Sequence, residues 1–191
     1  MKGELKMKNI IETVAGEISG VLAQIDENEA AQLGKELEKA KRIFIAGTGR
    51  SGLVGKVFAM RLMHSGYSVF VVGETITPSI ETGDLLLAIS GSGSTGSLVQ
   101  YAKKAKEIDA KVALVTTNKE SVIGELSDCV VRIPAATKKR LASEPDTIQP
   151  LGSQFDQSAH LLLDAIIVYL QQLNPEGKSH SSLNQKHANL E

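Results

Sequence analysis

The sequence predicts a doubly wound α/β fold, a five-stranded parallel sheet flanked by helices. Three observations carry this. Five short runs, at 42–46, 68–72, 85–90, 112–116 and 129–133, are apolar in continuous blocks rather than in alternation, as strands covered on both faces are. Most of the segments between them repeat apolar residues at the spacing of a helix face. Two of the runs end in glycine-rich turns that lead straight into such a segment, the connection a parallel strand pair needs.

Taken in chain order, Met7, Ile11, Val14, Ile18, Val21 and Ile25 alternate steps of four and three. This is a narrow heptad seam, and it asks for a partner helix. Asp26 caps a second helix over 28–41. The crossovers of the sheet fall at 51–64, 95–108 and the short 121–126. Residues 73–84, with Pro78 and Gly83, are too few for a crossover helix and read as a loop at a sheet edge. After the fifth run, 135–149 is a charged loop punctuated by prolines, in which Lys138, Lys139 and Arg140 read first as a solvated face. Ser153 opens a last helix to about residue 173, apolar around most of its circumference and therefore buried in the core or between subunits. The chain is expected to be one domain: helices over 1–41, an α/β core over 42–173, and a polar tail over 174–191 whose plain reading is disorder.

Composition narrows the class of function. With 21 basic and 22 acidic side chains the formal charge is −1, so no bulk attraction to nucleic acid or an anionic membrane is expected. Aromatic residues are only 4% of the chain, which argues against base-stacking platforms. The one cysteine, Cys129, lies in an apolar run and fits a reducing, cytoplasmic setting. No export signal or membrane span is expected; the most apolar stretch, 161–170, carries Asp164 in its middle.

The two glycine-rich turns are the candidate site. Gly47-Thr48-Gly49-Arg50-Ser51-Gly52 bends sharply, brings N–H groups near a ligand and opens a helix, so an anion fits there. Read literally it is a GxGxxG turn, and Glu74 after the next strand stands near where a dinucleotide fold places its ribose-binding acid. A nicotinamide-binding module is therefore one rival reading; a bare strand-to-helix turn is another. The second turn, Ser90-Gly91-Ser92-Gly93-Ser94-Thr95, offers four hydroxyls and more backbone donors in six residues. A dinucleotide fold has no use for it, whereas a phosphate ester does. Its plain reading is a helix cap or a flexible linker.

The pair GxGRS and SxSGxT resembles the sugar isomerase (SIS) domain, a doubly wound, flavodoxin-like fold that binds phosphosugars. RLMH at 61–64, VGETITP at 72–78, ISGSG at 89–93, IQPLG at 148–152 and HANLE at 187–191 further resemble the 6-phospho-3-hexuloisomerase family within it, over nearly the whole chain. The resemblance implies a cytoplasmic homotetramer that interconverts 3-hexulose 6-phosphate and fructose 6-phosphate through an enediolate. The reaction follows formaldehyde fixation in the ribulose monophosphate pathway and needs no metal or redox cofactor. It implies that Gly49, Arg50, Ser51, Ser90, Ser92, Gly93, Ser94 and Thr95 hold the phosphosugar. It also implies that the carboxylate after the PLGS-like segment, usually glutamate and here Asp156, is the base, and that His64 shuttles protons or polarises the carbonyl. Spacing alone leaves other readings open: Asp156 as the N3 acid of a capping-box variant begun by Ser153, and His64 as a cap at a helix C-terminus. Glu74 is a third acid–base candidate or a solvated loop acid, and His187 and Glu191 match the family ending. Another SIS phosphosugar isomerase is one alternative, and since SIS domains also occur in regulators, a phosphosugar-binding sensor without turnover is the alternative of a different class.

Overall fold

In the computed structural model the described residues are 6–174, 183, 184, 186, 187, 189 and 190. A first helical pair, α1 (Met7–Leu22) and α2 (Glu27–Lys39), leads into β1 (Ile43–Gly47), and α3 (Gly49–His64) carries the chain to the short β2 (Val69–Val71). Then follow β3 (Leu85–Ile89), α4 (Gly96–Glu107), β4 (Lys111–Thr116), α5 (Val122–Leu126), β5 (Cys129–Arg132) and α6 (Ser153–Leu173). Residues 73–84 join β2 to β3 without a helix, as their length predicts.

All five strands are parallel, in the order β2-β1-β3-β4-β5. The order reverses at β1, so the switch point lies between the C-terminal ends of β1 and β3, where α/β sheets open a crevice for ligands. Alternate strand residues face opposite sides. Ile43, Ile45, Leu85, Leu87, Ile89 and Val115 pack under α2, α3 and α6 with Val21 of α1, whereas Phe44, Leu86, Val112 and Leu114 pack under α4 and α5. Both faces are covered, which explains why the strand sequences run apolar without interruption. The starts of β1 and β3 are tied together by Arg42, whose Nε and Nη2 reach the buried Asp84 carboxylate at 3.0 and 2.6 Å.

Asp26 caps α2 as its position predicts, accepting from the Asn28 amide at 2.8 Å. The heptad seam of α1 is only half used: Ile18 and Val21 are buried, while Met7 and Ile11 are 67% and 61% exposed. α6 is buried along most of its length, yet Leu161 and Val168 face outward. Cys129, on the edge strand β5, is buried, and burial pushes its thiol up to about 11. No helix among the described residues is long and apolar enough to cross a membrane.

Candidate active site

The end of β1 and the start of α3 approach very closely. A methyl group on Gly52 would lie 2.8 Å from the Gly47 carbonyl oxygen, so both positions need glycine for the turn to close. In the second turn Gly93 has φ +61°, and a side chain there would collide with Ser121, so the loop depends on glycine there too. Thr48 and Thr95, the N-cap residues of α3 and α4, make no side-chain cap bond, whereas Asp26 and Ser121 do cap α2 and α5. The uncapped amide ends of α3 and α4 therefore stand at the C-terminal ends of β1 and β3, on either side of the switch point.

The hydroxyls of the second loop divide into two kinds. Ser90 is buried and works inside the loop, its Oγ accepting from the Gly93 amide at 3.2 Å and lying 3.3 Å from Thr95 Oγ1. Ser92 and Ser94 are exposed, and among the described residues their hydroxyls bond only each other's backbone, at 3.3 Å.

The first turn of α6 reaches both loops. Asp156 is 7% exposed, with Oδ1 accepting from Ser51 Oγ at 2.8 Å and Oδ2 from Arg50 Nε at 3.1 Å. Its neighbour Phe155 packs beneath the other loop, where a methyl group on Gly91 would come within 3.3 Å of the ring. The capping-box reading of Ser153 and Asp156 does not hold. The N-cap is Gly152, no side chain caps α6, and the carboxylate is turned toward α3 instead. A dinucleotide pyrophosphate in the first turn would share it with this carboxylate, which removes the ground for the nicotinamide reading.

His64 is not part of this cluster. It ends α3, and a helix of 16 residues sets it about 22 Å from Gly49 along the axis. There it is 4% exposed, with Nδ1 3.5 Å from Arg61 Nη1 and its ring stacked on His187 at 5.3 Å between centroids. Burial, then the Arg61 cation and His187, hold its imidazole below the ordinary 6.5, so it is neutral at pH 7. Glu74 is exposed and paired with Lys56 Nζ at 2.6 Å. Lys138 and Lys139 are exposed, and Arg140 donates to the Gln149 carbonyl. Glu191 lies outside the described residues.

Sequence reasoning did not single out Phe155 or Lys56. Phe155 looks like any core aromatic until the packing is seen, and Lys56 has no signal beyond its place about two turns into α3. An apolar cavity of about 130 Å³ under loop 73–84, between Phe44, Ile80 and Tyr101, is lined by none of the candidate residues. Among the described residues no three His, Cys, Asp or Glu side chains gather closely enough to hold a metal ion.

Two Ser/Gly turns stand at the switch point of the parallel sheet, with the first turn of α6 reaching both, and the SIS domain family model matches residues 36–160. Over nearly the full chain, a 3-hexulose-6-phosphate isomerase of Bacillus subtilis (strain 168) is 41% identical across 187 residues, covering 98% of this chain and 100% of that protein. One from Mycobacterium gastri is 41% identical across 183 residues, covering 96% and 90%. A solved structure from Methanococcus jannaschii, described as inferring a molecular function of 3-hexulose-6-phosphate isomerase, superposes with a TM-score of 0.81 at 35% identity, covering 95% of this chain and 98% of that one. The chain belongs to this family of SIS-domain isomerases.

Proposed function

We propose that the protein is a 3-hexulose-6-phosphate isomerase that interconverts that sugar with fructose 6-phosphate in the ribulose monophosphate pathway. The observation that carries the mechanism is the first turn of α6, which sets a buried carboxylate against one loop and an aromatic ring beneath the other.

The two loops take different tasks. The phosphate sits on the second loop, at the uncapped amides of α4 with Ser92, Gly93, Ser94 and Thr95, while Ser90 keeps that loop in shape. A phosphate dianion in the first loop would face Asp156, so Gly49, Arg50 and Ser51 hold the base and the sugar's hydroxyl groups instead. Asp156 takes the proton from C2, and the C2–H electron pair becomes the C2–C3 double bond of an enediolate as charge moves onto O3. The carboxyl returns the proton to C3, while the O2 proton passes to O3. A neutral imidazole accepts one proton while donating another, which suits His64 to that last transfer.

For His64 to do so it must come from a second copy. Along α3 an outward stripe of Leu53, Val57 and Met60, 63%, 38% and 44% exposed, runs from the Arg50 end toward the His64 end. Two copies packed antiparallel on this stripe would set the His64 end of α3 in one against the Arg50 end in the other, the arrangement this transfer requires. The exposed Met7 and Ile11 of α1 give a further face for the expected homotetramer. The enzyme works in the cytoplasm with no resident metal or redox cofactor.

The test is exchange in deuterated water with fructose 6-phosphate. Carbon-bound deuterium is expected. Sugar phosphate binding to the folded oligomer without any incorporation would instead make the protein a phosphosugar sensor.

A further inference from the structure

We propose that Glu17, on α1, is a positioning residue that sets the place of Asp156 through the segment leading into α6. The inference rests on the isomerase reading and extends it to a side chain far in sequence from every group assigned above.

The Glu17 carboxylate accepts three hydrogen bonds from one short stretch of chain. Oε1 takes the Ile148 amide at 2.8 Å, while Oε2 takes the Gln149 side-chain amide at 3.0 Å and the Thr147 hydroxyl at 2.5 Å. Thr147 Oγ1 in turn accepts from the Gln149 amide at 3.0 Å, and Arg140 holds the Gln149 carbonyl. Gln149 is 5% exposed, so its side chain has no solvent to replace the carboxylate. Burial opposes the charge on Glu17, but these hydrogen bonds and the Arg140 cation outweigh it and hold the carboxyl below its ordinary value.

Between this clamp and α6 there is little slack. Pro150 has a fixed φ, Leu151 is held in the left-handed region at φ +52°, and Gly152 is the N-cap, with the Ser153 amide bonded back to the Pro150 carbonyl at 3.1 Å. A non-glycine residue persists in that conformation only where its surroundings over-determine it. A shift of residues 147–149 therefore passes into the first turn of α6 and moves Asp156 relative to Ser51 and Arg50. The next residue along α1, Ile18, is buried in the same region of the fold, so the clamp acts from a docked turn rather than a swinging one. A misplacement of about 1 Å at a reacting group can cost about a hundredfold in rate.

The test compares Glu17→Gln with Glu12→Gln, a charge-matched change at an exposed position of the same helix. Carbon-bound deuterium exchange with fructose 6-phosphate and the number of sites per chain by calorimetry are measured on the purified oligomer. Glu17→Gln is expected to slow exchange about tenfold or more with the site number and Kd within about twofold of the parent protein, and Glu12→Gln to change neither. An unchanged exchange rate overturns the proposal. So does a loss of rate matched by a loss of sites, because that describes a fold weakened as a whole. If the parent protein itself shows no exchange, the isomerase reading has failed, and the crystal structure of Glu17→Gln decides this point: an Asp156 carboxylate still seated on Ser51 and Arg50 overturns the positioning role, and its displacement sustains it.

Discussion

Asp156 is a carboxylate nearly out of reach of water, and each of its oxygens already has a donor from α3. Burying a carboxyl group without hydrogen-bond partners is costly, so Ser51 and Arg50 are what hold it in place. Replacing Asp156 with Asn keeps the shape and removes the carboxylate we propose as base; exchange at carbon should fall about 10²- to 10⁴-fold while fructose 6-phosphate still protects the fold against heat. Retained exchange would move the base elsewhere. At this scale the sequence was only partly informative. That a first-turn acid follows the IQPLGS stretch can be read directly, as can an anion-friendly turn at Arg50 and Ser51. That these are the same site cannot, because about a hundred residues separate them and nothing local records the contact. Spacing offered a capping box for Asp156, and the fold chose otherwise by entering α6 through Gly152.

The elements were the most legible part. Each apolar run became a strand within about one residue at either end, because a strand buried on both faces has no freedom to be polar. Turns were legible as turns, but their necessity rests on approach distances. Gly52→Ala would push a methyl group into the Gly47 carbonyl, and we expect it to lower stability by about 1–3 kcal/mol in urea unfolding and to weaken sugar phosphate binding with it. The segment from 135 to 152 shows the opposite case, since its prolines and charges disclosed a loop and hid how firmly it is held. Glu144 accepts from the Thr137 amide and hydroxyl and from the Leu141 amide, as Glu17 does farther along, and burial opposes both charges less than the hydrogen bonds favour them. Both carboxyls therefore titrate below their ordinary 4.5 in the folded chain. Their stabilisation is complete above the unfolded value and is lost as pH falls through the lower folded values. Amide protection in this segment, corrected for the intrinsic pH dependence of exchange, should fall below about pH 4.5 before protection in the sheet does.

At the scale of the whole molecule, the length of α3 is decisive, because it separates Asp156 from His64, the two groups to which we assign the proton transfers. A site shared between copies makes a distinctive prediction. Asp156→Asn and His64→Asn should each be inactive, yet subunits mixed by unfolding and refolding together should recover about a quarter of the parent activity, since half the pairs are mixed and each mixed pair has one intact site. No recovery would place both groups in one chain or remove His64 from the chemistry. The heptad seam and the apolar last helix hinted at association, but which faces meet is a property of two surfaces and a single chain's periodicity carries no record of it. One further consequence follows from the lone thiol on the outermost strand. Only a thiolate attacks a disulfide reagent, and Cys129 is both buried and held protonated near neutral pH, so the native protein should resist labelling until β5 peels from β4. The time course of that labelling would clock the fraying of the sheet margin without a single engineered probe.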